Sequence, residues 1–157
     1  MSFDVTKLSE RYLRKLSAFA MCAAELGSLS TCKRKPCGCL LVAPDFTEIL
    51  AIGYNGPAAG LPNDSCAGEK PCGCVHAEAN CLVKARRHSA TGLLMVVTRA
   101  PCLGCAGLIV NSRAVTRVVW VNDSTGGKMG GIATLNLAGI DAFKIGNVTS
   151  LAQGERG

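Results

Sequence analysis

The 157-residue chain combines 48% hydrophobic with 18% charged residues, a balance that excludes an intrinsically disordered protein. Its longest apolar stretches, such as 93–97 and 118–121, are strand-sized, whereas a bilayer span needs about 20 residues, so we expect no transmembrane helix. The N-terminus lacks the apolar core of a secretory signal, which predicts a cytoplasmic protein. A net charge of +6 suits an anionic partner but does not select nucleotide, nucleic acid or membrane.

Apolar periodicity and turn residues predict alternating helices and strands. In chain order these are a helix at 6–26, strands at 39–43 and 49–54, a helix at 76–87, a strand at 93–98, a helix at 102–111, a strand at 115–122, a helix at 133–138 and a strand at 141–145. Gly27 is the expected end of the first helix, and Gly126, Gly127, Gly130 and Gly131 form the expected connection to the last one.

This succession predicts an α/β fold for residues 1–157, in one domain with a loose tail after about residue 146. The expected architecture is a three-layer α/β/α arrangement. Its central sheet is mixed, has about five strands and is antiparallel at the first hairpin, with helices on both faces.

The cysteines carry the main functional signal. Ten cysteines in a short chain would indicate a disulfide framework in a secreted protein. In a reducing cytosol, Cys-x-x-Cys and Cys-x-Cys clusters near a histidine favour metal binding or catalysis instead.

Two motifs define a candidate zinc site. His76 and Glu78 form an H-x-E motif, and Pro101, Cys102 and Cys105 form a later P-C-x-x-C motif. Together they match the signature of zinc-dependent nucleobase deaminases. Pro101 at the first helical position places both cysteines in the first turn, where the positive helix end favours thiolates.

His76 is the expected third ligand, which leaves one tetrahedral position for water, as in catalytic zinc sites. Glu78 lies two residues from His76, a spacing that favours a proton carrier over a fourth ligand and disfavours a metalloprotease. The alternative is a structural zinc site completed by another cysteine, such as Cys74.

With these motifs, residues 29–145 resemble the cytidine deaminase superfamily and, within it, the deoxycytidylate (dCMP) deaminases. The segment from Cys32 to Gly38 is similar to the family's C-x-R-x-x-V-G, and residues 53–56 read G-Y-N-G. The resemblance implies zinc-dependent deamination of dCMP to dUMP and ammonia, with dCTP or a modified dCMP as close variants.

The resemblance also implies roles for individual residues. It places Asn55 beside the sugar and phosphate, Arg34 at the phosphate, and Ala77 among the substrate-binding residues. It implies a second, structural zinc at the early cysteine and the loop after G-Y-N-G; the cysteines at these positions are Cys32, Cys66, Cys72 and Cys74. The rival interpretation is that several of these cysteines are merely small buried side chains, as we expect for Cys22, Cys37, Cys39 and Cys81.

The family further implies a homo-oligomer, often a hexamer, with dCTP and dTTP as effectors and Mg²⁺ as their companion ion. One departure is segment 123–127, which lacks the aromatic residue that many dCMP deaminases place there.

Two other functions compete with nucleotide deamination. A deaminase of tRNA or other nucleic acid would suit the positive charge, but an aromatic content of 4% offers no evident stacking platform. A non-catalytic zinc-binding interaction module would have no use for Glu78.

Overall fold

Four helices and five strands alternate in the residues that the computed structural model describes, which are 8–66, 68, 72–85, 89–123 and 130–146. They are α1 (Glu10–Ser28), β1 (Gly38–Val42), β2 (Ile49–Tyr54), α2 (Ala77–Ala85), β3 (Leu93–Arg99), α3 (Leu103–Ser112), β4 (Val115–Asn122), α4 (Gly130–Leu137) and β5 (Asp141–Lys144). The tail expected to be loose after residue 146 lies outside this range, as do the last two residues of the helix predicted at 76–87.

The strands form one mixed sheet in the order β2-β1-β3-β4-β5. β1 is antiparallel to both β2 and β3, whereas β3, β4 and β5 are parallel. Side chains alternate along β3: Met95 and Val97 join the core under α2, α3 and α4, and Leu94 and Val96 join the core under α1. The predicted three-layer α/β/α fold with five strands is therefore confirmed.

α1 differs from the prediction at both ends. Ser9 caps the helix by accepting a hydrogen bond from the Tyr12 backbone N–H, so the helix begins at Glu10, and residues 8 and 9 of the predicted helix precede it. Residues 6 and 7 lie outside the described residues. Gly27, the expected stop, lies within the helix, which ends at Ser28. Gly27 has a packing role, because a Cβ there would lie 3.1 Å from the backbone nitrogen of Gly38.

α4 starts earlier than predicted, because Gly130 and Gly131 are helical and do not belong to the connection. A Cβ on Gly131 would lie only 2.1 Å from the Pro101 carbonyl oxygen, so this glycine allows α4 to approach the loop before α3. Gly126 and Gly127 lie outside the described residues. No helix in the described part of the chain is long and apolar enough to cross a membrane.

Candidate active site and metal centres

One histidine and two cysteines meet between the N-terminal ends of α2 and α3. His76 directly precedes α2, and its Nδ1 lies 3.5 Å from the Cys102 Sγ and 3.4 Å from the Cys105 Sγ. One donor atom from each of the three residues lies within 4.8 Å of the others. We call this group the His-Cys-Cys cluster.

The donor set and its spacing fit zinc. Zn–N bonds of about 2.0–2.1 Å and Zn–S bonds of about 2.3 Å at tetrahedral angles separate nitrogen from sulfur by about 3.6 Å. The two measured N···S distances agree with this value. Three protein donors also leave one tetrahedral position for another ligand.

The start of α3 differs in detail from the sequence prediction. Pro101 is not the first helical residue, because Cys102 occupies the N-cap and the helix begins at Leu103. The Cys102 sulfur accepts a hydrogen bond from the Cys105 backbone N–H at 3.5 Å. The sulfurs of Cys102, at the N-cap, and Cys105, the third helical residue, therefore lie on the same side of the helix start. The positive N-terminal end of the helix favours negative charge on both sulfurs.

Glu78 is buried beside the His-Cys-Cys cluster, with 4% of its surface exposed. Burial raises its pKa; its own backbone N–H, the charge of His76 and a hydrogen bond from Cys105 act in the opposite direction. Burial, followed by the charge of Glu78, also raises the pKa of the Cys105 thiol. A bound cation would therefore favour the ionised forms of both groups.

Four further cysteines form a second group, here called the four-cysteine cluster. The Sγ atoms of Cys32, Cys66, Cys72 and Cys74 all lie within 4.8 Å of one another. The Cys32 and Cys66 sulfurs are 3.9 Å apart, close to the roughly 3.8 Å expected between two sulfurs of a tetrahedral zinc site. The donor set again fits zinc.

Backbone N–H groups favour thiolates in this cluster. Those of Lys33 and Gly68 are the largest cause lowering the pKa of Cys66 to about 7. The pKa of Cys72 is also lowered, first by the Cys74 backbone N–H and further by a hydrogen bond from the Arg34 side chain. Arg34 thus points its charge at the four-cysteine cluster.

Asn55 holds the segment between α1 and β1. Its Oδ1 lies 2.7 Å from both the Ser30 hydroxyl and the Cys37 backbone nitrogen, and its Nδ2 donates to the Lys35 carbonyl oxygen at 2.8 Å. The Ser30 hydroxyl in turn accepts from the Cys32 backbone N–H. These contacts, which sequence alone could not reveal, leave one Nδ2 hydrogen of Asn55 for a ligand.

The remaining predicted residues are mostly enclosed. Ala77 is fully buried, so only its main chain is available to a substrate. Cys37, Cys39 and Cys81 are buried and Cys22 is partly exposed, all outside the two donor clusters.

Comparison with known proteins relates the chain to one family. The family described as the cytidine and deoxycytidylate deaminase zinc-binding region matches residues 13–122. A deoxycytidylate deaminase of Mycobacterium phage D29 is 32% identical over 111 residues, an alignment that covers 60% of this chain and 84% of the phage protein.

Solved structures agree with this relationship. The dCMP deaminase of cyanophage S-TIM5 in its apo form has a TM-score of 0.71 and 30% identity, covering 83% of this chain and 96% of the phage chain. The same enzyme in complex with dCMP and dUMP has a TM-score of 0.71 and 28% identity, covering 82% and 94% of the two chains.

Proposed function

Because the chain belongs to the cytidine and deoxycytidylate deaminase zinc-binding family, we propose that it hydrolyses dCMP to dUMP and ammonia. The observation that carries this proposal is the buried carboxylate of Glu78 beside the His-Cys-Cys cluster. The similar phage proteins are named deoxycytidylate deaminases, and one of their structures holds dCMP and dUMP. dCTP and modified dCMP are close variants of this substrate.

His76, Cys102 and Cys105 are the proposed ligands of the catalytic zinc. When bound, zinc supplies a Lewis acid that makes water a competent nucleophile at neutral pH. The three donors would hold the ion and leave one coordination position for water.

Glu78 is the proposed proton carrier. It takes a proton from the attacking water and delivers it to N3 of cytosine while the water oxygen bonds to C4. It then moves the second proton from that oxygen to the amino group, so that the C4–N bond breaks, ammonia leaves and a C4 carbonyl remains. Burial supports this role, because it raises the pKa of Glu78 towards neutral pH, where a group can both accept and donate a proton.

Asn55, Arg34 and Ala77 are proposed substrate contacts. Asn55 has one amide hydrogen to offer the sugar, because its other polar positions hold the 30–37 segment. Ala77 contributes its main chain. Arg34 donates a hydrogen bond to Cys72, and its guanidinium has further N–H donors to offer a phosphate.

The four-cysteine cluster is the proposed site of a second, structural zinc. Four thiolates without an open position are typical of ions that stabilise a fold. The ion would join Cys32 to the loop that carries the other three ligands.

Assembly, regulation and location are further proposals that rest on the family resemblance. They comprise a homohexamer, dCTP and dTTP as effectors with Mg²⁺, and a cytoplasmic location. Light scattering, with and without dCTP and Mg²⁺, measures the assembly, and the same additions to a dCMP assay measure the regulation.

A substrate panel tests the proposed activity. Zinc-loaded protein should release ammonia from dCMP much faster than from deoxycytidine or adenine nucleotides. If the protein released ammonia from an RNA oligonucleotide but from none of the free nucleotides, it would be a nucleic-acid deaminase. Absence of turnover on the whole panel would favour a non-catalytic zinc-binding module.

A further inference from the structure

The end of β2 packs directly against the first turn of α2, the helix that begins beside the His-Cys-Cys cluster. A Cβ on Gly53 would lie only 2.4 Å from the Ala77 carbonyl oxygen and 2.8 Å from the Cys81 backbone nitrogen, so only glycine permits this approach. Glu78 lies between these two contact points in the sequence and is buried. β2 therefore ends against the turn of α2 that carries the proposed proton carrier.

The peptide unit between Tyr54 and Asn55, which directly follows this contact, is held at both ends. The Asn80 Nδ2 donates to the Tyr54 carbonyl oxygen at 2.9 Å. The Asn55 backbone N–H donates to the Cys37 carbonyl oxygen at 3.1 Å. Because the atoms of a peptide unit lie in one plane, these two hydrogen bonds fix the plane from which the Asn55 side chain departs.

The Tyr54 carbonyl lies at the edge of the sheet, since β2 is the outermost strand. The Asn55 N–H points towards the segment before β1, so the carbonyl of the same trans peptide points away from the sheet. Asn80 meets it there, and it is only partly buried. Water can hydrate such a carbonyl when the side chain is absent, so the hydrogen bond contributes to position more than to stability.

Asn80 connects this peptide to the start of α2. Its own backbone N–H donates to the His76 carbonyl oxygen at 3.0 Å, which places it one helical turn after the metal-ligand candidate. One side-chain amide thus joins the turn that carries Glu78 to the peptide that carries Asn55. The Asn55 side chain retains one amide hydrogen for a ligand, because its other polar positions hold the 30–37 segment.

We infer that Asn80 is a positioning residue for the deamination: it fixes the Tyr54–Asn55 peptide against α2 and thereby sets the free amide hydrogen of Asn55 at a fixed place relative to Glu78. This inference rests on the proposed function and on Asn55 as a substrate contact. Asn80 acts through Asn55 and does not itself touch the reacting atoms.

Asn80→Ala tests the inference by kinetics. We expect the KM for dCMP to rise roughly 3- to 10-fold, as for one lost hydrogen bond, with kcat changed less than about twofold. Tm and zinc content should stay at the wild-type values, which separates positioning from a structural role. Asn80→Gln keeps an amide donor and should recover part of the affinity, whereas Asn80→Asp turns an oxygen towards the carbonyl and should not. Asn111→Ala, at an exposed position of α3, is the matched control.

A double-mutant cycle shows whether Asn80 acts through Asn55. On the Asn55→Ala background, assayed below the Tm of every variant, Asn80→Ala should change KM less than about 1.5-fold, because no amide is left to position. Calorimetric titration with the product dUMP gives an affinity that is independent of turnover and should weaken by the same factor as KM.

The inference is overturned if Asn80→Ala keeps the wild-type KM, if its effect and that of Asn55→Ala are additive, or if the loss of activity follows a loss of zinc or a lower Tm. A wild type that turns over no dCMP would instead contradict the proposed function itself.

Discussion

Glu78 is a carboxylate that the fold removes from water and places beside three metal-donor side chains. Burial is the dominant cause of its raised pKa, and Cys105 donates to it. Such a group is costly to bury unless it interacts with a cation or exchanges a proton. Glu78 is the second residue of α2 and follows His76 and Ala77, so it lies where it could both interact with a bound cation and exchange a proton.

Glu78→Gln keeps the shape of this side chain and removes its ability to carry protons. We expect kcat for dCMP to fall roughly 10²- to 10⁴-fold, the usual contribution of general acid–base catalysis. Zinc content should not change, because Glu78 is not a proposed ligand. Steady-state ammonia release and elemental analysis measure the two quantities. The exposed Glu48→Gln, in the β1–β2 hairpin, is the matched control, and a variant with full activity would exclude Glu78 as proton carrier.

The elements around the site are held by close contacts to backbone atoms that tolerate little change. α4 approaches the loop before α3 at Gly131, and the segment between α1 and β1 is anchored by Asn55. Both contacts lie next to proposed metal ligands, Cys102 in the first case and Cys32 in the second. Substitutions at Gly131 or Asn55 should therefore weaken metal binding as well as lower the stability of the fold.

Gly131→Ala places a Cβ 2.1 Å from the Pro101 carbonyl oxygen, so α4 or the ligand loop must move. We expect a loss of about 1–3 kcal/mol in the free energy of unfolding, as for overpacked cores. Zinc should also bind more weakly at the His-Cys-Cys cluster. Chemical denaturation and zinc titration measure both effects. Gly130→Ala is the control, because its Cβ would meet only the flexible Leu103 side chain at 3.4 Å; equal behaviour of the two variants would contradict this account.

Asn55→Ala removes the acceptor of the buried Cys37 backbone N–H and one donor to the Lys35 carbonyl oxygen. A buried N–H left unpaired costs about 1–3 kcal/mol, so the free energy of unfolding should fall by about that amount. Urea denaturation measures the change. Asn136→Ala on the exposed face of α4 should have little effect, and an equally stable Asn55→Ala would show that the hydrogen bonds do not hold the segment.

Local patterns predicted the elements but not all their ends. Within the described residues, apolar periodicity located the helices, and continuous apolar runs located β1 and β3, which are buried on both faces of the sheet. Because glycine destabilises isolated helices, the sequence predicts a helix stop at Gly27 and a connection at Gly131. The structure uses both for close backbone contacts with residues distant in sequence, which no local pattern contains.

The donor groups of the site followed from motif spacing, whereas its nonlocal partners did not. His76, Cys102 and Cys105 meet as their spacing predicted, since two helix starts converge. The hydrogen bonds of Arg34 to Cys72 and of Asn80 to the Tyr54 carbonyl depend on how the loops and helices pack against the sheet. These features could only be found from the three-dimensional arrangement.

At the scale of the whole molecule, one segment serves both donor clusters. Cys72 and Cys74 belong to the four-cysteine cluster, and His76 belongs to the other. Between them, Val75 pairs with Gly56 through two backbone hydrogen bonds, at 2.8 and 3.2 Å. Metal at the four-cysteine cluster would therefore stabilise the isolated bridge that immediately precedes His76.

Cys66→Ser tests the second metal. We expect the zinc content to fall from two ions per chain to one and the Tm to decrease, because the remaining three thiols hold the ion weakly. Elemental analysis and differential scanning calorimetry measure these changes. Cys22→Ser, outside both clusters, should retain two ions. A wild type with one zinc, or a Cys66→Ser protein with two, would contradict a structural ion at this cluster.

The most direct test of hydrolytic deamination is to incubate the zinc-loaded protein with dCMP in ¹⁸O-labelled water and analyse the product by mass spectrometry. We predict dUMP that carries a single ¹⁸O atom at C4, together with an equimolar amount of ammonia. Recovery of unchanged dCMP, or of dUMP without the label, would contradict water activated beside Glu78 as the source of the new carbonyl oxygen.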